Sequence, residues 1–464
     1  MQQTRLEKRA EARAEQRELL ALAWPCVLEN LSSTLVNLVD TAMVGSIGAV
    51  ASAAVGVCST PSWLLNGLVF SLGVGGTALV ARAVGAGNKK EAEHITMQVF
   101  RMVLILAAAL AITYFSLASF IPKMMQAKPD VQVEAAGYLR IMTTSYLFHF
   151  SGMAMGALLR GSGDTKTPMT AGIMANVLNA SGNFLLIYPV RELDLFGFRF
   201  TMWGAGMGVR GAATASAFAM SIAGIYILSK MLTGRSKLRL RFSFTAPWDM
   251  DVVKRVLHIA LPAALSRVTV NVGQIIYAAM ISSIGTAELA AYQITNVIES
   301  MGYMPANGFS QAGTALVGQN LGAKKPEKAM SFGKRAIHTS TLMLIVIGTL
   351  LILARNLLAG LFSSDAQVVY IISGMVIICG LVQPFNALSQ VTTGCLNGAG
   401  DTKAPFLYNL ISMWCFRITF SWLLGFKLGF GVYGIYFSMV IDLAVRSALL
   451  YTRFHKGKWQ TLRV

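Results

Sequence analysis

About twelve apolar runs divide this chain of 464 residues, and each is near or above the ~20 residues that a helix needs to cross a bilayer. Only helices cross the hydrocarbon core as consecutive runs of this length, because a helix satisfies its own backbone hydrogen bonds. Charged residues make up 13% of the sequence, whereas a soluble domain carries about 25%. The sequence therefore predicts an all-α integral membrane protein with twelve transmembrane helices.

Two short motifs occur twice at the same spacing. GTALV stands at Gly76–Val80 and Gly313–Val317, and GDTK stands at Gly163–Lys166 and Gly400–Lys403 (313 − 76 = 400 − 163 = 237). A constant offset over so long a stretch indicates that one half of the chain is a copy of the other. Six crossings return the chain to its starting side, so we expect two pseudo-symmetric six-helix bundles with a binding site between them.

The apolar runs and the charged segments between them divide the chain into five parts. We expect a charged N-terminal helix or tail, a first six-helix bundle, a basic linker, a second bundle and a C-terminal tail. Their predicted bounds are 1–19, 20–231, 232–253, 254–452 and 453–464.

The formal net charge of +18 could indicate a nucleic-acid-binding protein, but its distribution favours a membrane protein. Lys and Arg concentrate at the two chain ends and in every second loop, so the positive-inside rule places both termini in the cytoplasm. We therefore expect a multi-pass protein of a bacterial cytoplasmic (inner) membrane that contacts the lipid bilayer and no nucleic acid. Since one chain holds both halves, a monomer is expected.

The first apolar run contains a carboxylate, Asp40. A charge at that depth costs at least a few kcal/mol, so such a residue normally faces a partner or a wet cavity and has a function. Asn30, Ser33, Asn37 and Asp40 follow one another at helical spacing and share one face. The interpretation that competes with a functional one is a hydrogen-bonded structural acid.

The fifth run carries a second polar stripe, formed by Asn176, Asn179 and Asn183 at helical spacing. An acid that releases its proton on one side of the membrane and regains it on the other could couple proton entry to export. The charged form of Asp40 would favour a cationic substrate and the neutral form would release it. This is the coupling hypothesis.

Several segments resemble the multidrug and toxic compound extrusion (MATE) family. They are Trp24-Pro25, VDTAMVG at Val39–Gly45, and the two copies LRGSGDTK at Leu159–Lys166 and LNGAGDTK at Leu396–Lys403. The resemblance spans nearly the whole chain. It implies two bundles facing a central cavity, alternating access, and export of organic cations driven by inward H⁺ or Na⁺. It also implies a transporter that is not an enzyme, and the sequence contains no HExxH, P-loop or GxSxG motif.

The positions of the acids favour the DinF-like branch of that family, which has its essential acid at the position of Asp40. The NorM-like branch uses acids in the seventh and tenth helices, where this chain has Val270 and Asn386. Members of the DinF-like branch often carry a second aspartate where this chain has Asn183, so a single-proton site is favoured and Na⁺ remains the alternative. The residues expected to couple the ion are Asp40, Asn37, Asn179 and Asn183.

Further residues are expected to line the cavity or to close it. The expected substrate or cavity residues are Asn176, His149, Asn386, Gln274 and Tyr277. His149 is also the second candidate for a titrating group, because it is the repeat mate of Asn386 (386 − 149 = 237). Glu29 and Arg267 are predicted to pair as a gate when the cytoplasmic side is shut, with separate local partners as the equal alternative.

Other interpretations remain open at this point. A flippase for lipid-linked compounds is the alternative transporter, although an acidic Asp40 argues against the cationic cavity expected there. No cofactor or metal other than the coupling ion is expected, because the five cysteines lie in or beside apolar runs without metal-site spacing. Glu299 is interpreted as a hydrogen-bonded brace, with an accessory proton site as the alternative, and Asp442 and Arg446 as a structural pair.

Overall fold

A computed structural model of the chain describes residues 2–195, 198–241, 247–363 and 365–462. For residues 2–9, 60, 193–195 and 198–200 it describes the backbone alone. Parts of the predicted linker (242–246) and of the predicted C-terminal tail (463–464) lie outside the described residues, as does residue 1.

Helices form most of the described chain. In the first half they are α1 (Gln2–Gly45), α2 (Ala49–Gly85), α3 (Lys89–Leu117), α4 (Ile121–Met124), α5 (Pro129–Thr143), α6 (Tyr146–Gly161), α7 (Lys166–Leu186) and α8 (Gly208–Leu232). In the second half they are α9 (Met250–Ser282), α10 (Thr286–Gly322), α11 (Pro326–Leu353), α12 (Arg355–Phe362), α13 (Ala366–Gly398), α14 (Lys403–Ile411), α15 (Thr419–Trp422) and α16 (Gly431–His455).

Each half makes six crossings, which confirms the predicted architecture. Eight described helices are long and apolar enough to span a membrane by length and composition alone. The other four crossings are either interrupted, as in α5–α6 and α14–α15, or carry polar side chains, as in α7 and α10. Between α14 and α15, and again after α15, the backbone winds as a π-helix, at Ser412–Ile418 and Leu423–Lys427. Such wide turns are frequent at functional sites.

A short antiparallel hairpin departs from the predicted all-helical structure. Strand β1 (Pro189–Leu195) pairs with β2 (Phe198–Ala205) in the loop between α7 and α8. The prediction depends on long apolar runs, and neither strand forms one, so this hairpin was not predicted.

The two copies of the GDTK loop adopt the same conformation. Gly163 and Gly400 both have φ = +84°, a left-handed conformation that glycine adopts without strain. The following aspartates then accept hydrogen bonds from the backbone of the next helix, Asp164 from Thr167 N at 3.1 Å and Asp401 from Ala404 N at 3.4 Å. The repeated sequence therefore encodes a repeated helix start.

The halves meet on the face of the bundle where α1 begins and α16 ends, which we call the terminal face. Leu19, Phe454 and Trp459 belong to one buried cluster there. A Cβ atom added at Gly85 would collide with the Gln319 carbonyl, and one at its repeat mate Gly322 would collide with the Arg82 carbonyl. Backbone therefore packs directly against backbone between α2 and α10.

Two further sets of contacts join the halves at the terminal face. Arg82 donates hydrogen bonds to the carbonyls of Leu462 (2.9 Å) and Ala399 (2.7 Å). In the N-terminal part of α1, Glu15 pairs with Arg335 of α11 at 2.7 Å. A more exposed pair joins Glu11 to Lys328 at 3.0 Å, and Gln16 donates to Thr339 at 3.0 Å. The first helix is thus attached to the second half.

Candidate functional site

The polar stripes of α1 and α7 lie side by side. Asp40 is five residues before the end of α1, and its Oδ1 is 2.5 Å from Nδ2 of Asn183. Asn183 is fully buried, and the same Nδ2 lies 3.3 Å from Oδ1 of Asn179. The structure therefore brings together three of the four residues predicted to couple the ion.

The fourth, Asn37, is exposed, and the hydrogen bond described for it is a backbone one, from Thr41 Oγ1 to its carbonyl. Two serines that the sequence analysis did not single out support the asparagines of α7. Asn179 donates to Ser216 of α8 at 2.8 Å, and Asn176 donates to Ser32 of α1 at 2.9 Å. Helix α8 contains three serines, Ser216, Ser221 and Ser229, whose spacing forms no single stripe, so Ser216 could be found only from the structure.

One acceptor beside Asp40 is unused. Oδ1 of Asn183 is buried and has no hydrogen-bond partner in the part of the chain that the structure describes. An amide oxygen next to a carboxylate can accept the O–H of the protonated acid, or both oxygens can bind a small cation. The arrangement can therefore hold one proton or one cation. Within the described residues, no three His, Cys, Asp or Glu side chains are grouped to bind a metal ion.

His149 lies apart from Asp40. Its Nε2 is 3.3 Å from Oδ1 of Asn66 on α2, and its ring packs against Phe150. Asn66 was not singled out in the sequence. The geometry is that of a histidine hydrogen-bonded between α6 and α2.

The position equivalent to Asp40 in the second half is Tyr277 (277 − 40 = 237). Tyr277 was expected to line the cavity, but the structure buries it completely. Its hydroxyl donates to the Ile435 carbonyl at 3.0 Å, and the Arg417 guanidinium carbon lies 4.4 Å from its ring centroid. The satisfied hydroxyl and the apolar ring both favour burial. Asn386 is also largely buried, at 7% exposure, while Gln274 is partly exposed and accepts from Tyr292 at 3.4 Å.

Arg417, which contacts the ring of Tyr277, belongs to a buried ionic network. Asp442 is fully buried and accepts from Arg446 Nη2 at 2.8 and 2.9 Å, so the predicted pair is present. Arg417 Nη1 lies 3.6 Å from the same carboxylate, and Ser412 hydroxyl donates to it. Arg417 was missed because its partner is on a distant helix, not one turn away. Glu299 accepts from Tyr436 at 3.1 Å, which is the geometry of a brace.

The predicted pairing of Glu29 with Arg267 is absent from this structure, although the halves touch at the terminal face. The Glu29 carboxylate lies 3.3 Å from Arg160 of its own half, and Arg267 stacks on Phe70 of α2 at 4.2 Å. The pseudo-symmetric mate of Arg267 is Asn30 (267 − 30 = 237), and Glu29 is one residue away. One residue turns a side chain by ~100° around the helix, enough to point Glu29 at α6 and α7.

Comparison with known proteins decides the family. The family model described as MatE matches this chain twice, at residues 25–185 and 262–423. The second match begins 237 residues after the first (262 − 25 = 237), at the offset of the repeated motifs. The chain belongs to the MatE family. It is therefore a multi-pass membrane transporter.

Relatives of this MatE-family chain cover it almost entirely. A probable multidrug resistance protein NorM of Thermotoga maritima is 30% identical over 449 residues, which are 96% of this chain and 93% of the relative. The multidrug resistance protein MdtK of Yersinia pseudotuberculosis is 27% identical over 455 residues, 95% of each chain.

Solved structures agree with the fold. An outward-facing multidrug resistance MATE transporter of the MOP superfamily superposes with a TM-score of 0.87, at 21% identity and over 96% of this chain and 97% of that one. A MATE protein in a straight conformation gives 0.86, at 21% identity and with the same coverage. The MatE fold of two six-helix bundles is therefore that of the whole chain.

Proposed function

We propose that this MatE-family chain is an antiporter that exports organic cations and other toxic compounds by alternating access, driven by inward H⁺ through Asp40. The proposal rests on the observation that Asp40 is isolated from basic side chains in the described ranges. Asp40 has an amide donor at 2.5 Å, and no Lys or Arg lies within ion-pair distance of it in the described ranges. An acid without a fixed counter-charge is free to gain and lose a proton.

The neighbouring amides give both protonation states a partner. Nδ2 of Asn183 donates to the charged carboxylate, and the unused Oδ1 of Asn183 can accept from the protonated acid. The charged state attracts a cationic substrate in the low-dielectric cavity, while the neutral state has no such attraction. Protonation therefore changes the affinity for the substrate, which is what antiport requires.

The orientation of the chain in the membrane follows from the charge of the loops. Lys and Arg concentrate on the terminal face, so we infer that this face and both termini are cytoplasmic in a bacterial inner membrane. The names of the relatives, multidrug resistance proteins, support export of several unrelated compounds. We expect the chain to act as a monomer.

Sodium is the second candidate for the coupling ion. The unused buried oxygen of Asn183 next to the Asp40 carboxylate would serve as a cation ligand as well as a proton acceptor. One carboxylate gives a weaker cation site than two, which is why H⁺ is preferred.

The test is efflux of ethidium from proteoliposomes, driven first by a pH gradient alone and then by a Na⁺ gradient alone. Wild type and Asp40→Asn are compared in both. We expect the pH gradient to drive wild type and Asp40→Asn to lose at least about 100-fold in rate, the lower range for removal of a proton-transfer group. Transport driven only by Na⁺ would assign the site to sodium, and normal transport by Asp40→Asn would make Asp40 structural.

A further inference from the structure

A cavity of about 600 Å³ on the terminal face is lined by basic side chains. It lies between the beginnings of α9 and α14 and the end of α16. Lys254 and Arg255 come from α9, Lys403 is the first residue of α14, and Arg453 is two residues before the end of α16. In the orientation inferred above, helix ends on this face lie at the level of the cytoplasmic lipid headgroups. The cavity therefore presents cations at the surface of the membrane.

Three of these four cations have no carboxylate partner in the described part of the chain. Arg453 pairs with Asp401, the one acid in the described wall, at 2.8 Å. Within the described ranges, no Asp or Glu oxygen lies within 4.0 Å of the side-chain nitrogens of Lys254, Arg255 or Lys403. The cavity therefore has an excess of positive charge, and a bound anion would neutralise it.

Apolar side chains complete the lining of the cavity. Ile259, Leu407, Tyr408 and Leu462 belong to it, and Leu407 is 48% exposed. A free phosphate ion gains nothing from such a surface, whereas the carbon chains of a phospholipid would be removed from water against it. Basic pockets between transmembrane helices on the cytoplasmic side bind the headgroups of anionic lipids. The combination of cations and apolar side chains at this level therefore favours a lipid over a free anion.

The equivalent place in the first half lacks this cluster of cations. The repeat mate of Arg255 is an acid, Glu18 (255 − 18 = 237). Lys403 belongs to the GDTK motif, and its repeat mate Lys166 (403 − 166 = 237) does not line this cavity. The excess of positive charge is therefore particular to the second half, and Lys166 provides a matched control.

We propose that this cavity binds the phosphate headgroup of an anionic phospholipid of the cytoplasmic leaflet. The guanidinium of Arg255 donates to two phosphate oxygens, the ammonium groups of Lys254 and Lys403 neutralise the remaining charge, and the acyl chains pack against Leu407. The proposal goes beyond the antiport function and does not depend on it. The carbonyl of Leu462 accepts a hydrogen bond from the first half at 2.9 Å, so the bound lipid lies beside a contact that joins the halves.

Lipid binding to the purified full chain tests the proposal. Native mass spectrometry in a neutral detergent counts the bound lipid molecules and gives the Kd of the tightest site. Dioctanoyl phosphatidylglycerol, which is anionic, and dioctanoyl phosphatidylcholine, which has no net charge, are titrated separately. The compared proteins are wild type, Arg255→Gln, the double variant Arg255→Gln with Lys403→Gln, Leu407→Ser, and Lys166→Gln as the matched control.

We expect wild type to bind phosphatidylglycerol about tenfold or more tightly than phosphatidylcholine. Arg255→Gln should raise the Kd for phosphatidylglycerol about fivefold and the double variant about 25-fold, because each basic residue near an anionic lipid contributes a factor of about five. Lys166→Gln should keep the wild-type Kd. Equal binding of the two lipids, or an equal loss in Lys166→Gln and Arg255→Gln, would overturn the proposal.

A soluble competitor identifies the source of the phosphate. Glycerol phosphate carries the same charged group without acyl chains, so it should displace phosphatidylglycerol only at a much higher concentration than the unlabelled lipid does. Leu407→Ser should weaken the binding of phosphatidylglycerol severalfold and leave that of glycerol phosphate unchanged, since only the lipid buries carbon against this side chain. If glycerol phosphate competes as well as the lipid, the cavity is a site for a free phosphate and the lipid proposal is refuted.

A measurement on wild type alone covers the case in which a variant does not fold. Raising the concentration of ammonium acetate screens exposed charges, so it should weaken the binding of phosphatidylglycerol and not that of phosphatidylcholine. Binding of phosphatidylglycerol that does not change with salt would contradict a headgroup site made of Lys254, Arg255 and Lys403.

Discussion

The two halves of this transporter share their helix arrangement, but the charged partners of their aspartates differ. In the first half Asp40 faces Asn183, an amide without charge. At the equivalent positions the second half has Tyr277 and Phe420 (420 − 183 = 237), while its own buried aspartate, Asp442, is held by two arginines. The duplication has thus kept the loops and the helix starts, and the ionisable groups have diverged.

Among the described residues, Asp442 has fixed counter-charges and Asp40 has none. Protonating Asp442 would leave the buried guanidiniums of Arg417 and Arg446 without their counter-charge, which is strongly unfavourable. Protonating Asp40 leaves no such cation behind among the described residues. Under the proposed function, the first half would therefore bind and release the coupling ion, while the charge of Asp442 in the second half would stay fixed.

The largest effect is expected from Asp442→Asn. Removing the partner of two buried arginines should lower the free energy of unfolding by about 3–5 kcal/mol. Thermal unfolding of the purified protein measures this, with Asp40→Asn as the matched control in the other half. Asp40→Asn should unfold close to the wild-type temperature, since the amide loses no ion pair. Equal destabilisation by the two substitutions would contradict the distinction between the halves.

A smaller effect is expected from Asn183→Asp, which gives the first half a second carboxylate. Two carboxylates favour a bound Na⁺ over a single proton, so the ratio of Na⁺-driven to H⁺-driven ethidium efflux should rise about tenfold, equivalent to ~1.4 kcal/mol. Asn179→Asp, one turn away and bonded to Ser216, is the control and should change the ratio less. No rise in Asn183→Asp would show that the coupling ion is not bound beside Asp40.

The smallest effect is expected from Glu29→Gln. Its pair with Arg160 lies within one half and is partly exposed, so we expect a loss of about 1 kcal/mol of stability. The double reversal Glu29→Arg with Arg267→Glu should fail to regain the transport lost by each single reversal, because the structure places the two side chains with different partners. Rescue by the double reversal would restore the predicted gate.

Much of the fold was predictable because apolar length and internal repetition are strong signals. The offset that joins Gly163 to Gly400 can be read directly from the sequence, and the polar spacing predicted one polar stripe on α1 and one on α7. The first inference depends on repetition at a constant offset, and the second on spacing within one helix. That Asp40 and Asn183 share a site was implied by the family resemblance and not by the spacing.

Contacts between distant helices were not predictable in the same way. Arg417 and Asp442 are brought together by the packing of the eleventh crossing on α16, and Ser216 reaches Asn179 from α8. In neither pair are the two residues separated by the three or four positions that bring side chains together on one helix. The depth argument for Glu29 and Arg267 did not fix the angle around the helix, and a difference of one residue was enough to separate them.

The first helix is tied at both of its ends, and this gives it a mechanical role. Its 44 residues span roughly 66 Å, with Asp40 bonded to α7 near one end and Glu15 bonded to α11 of the opposite half near the other. When the halves rotate against each other, α1 must bend or one tie must give way. Because Asn183 can bond either protonation state of Asp40, this end of α1 stays tied on proton transfer, and bending of α1 would have to take up the rotation.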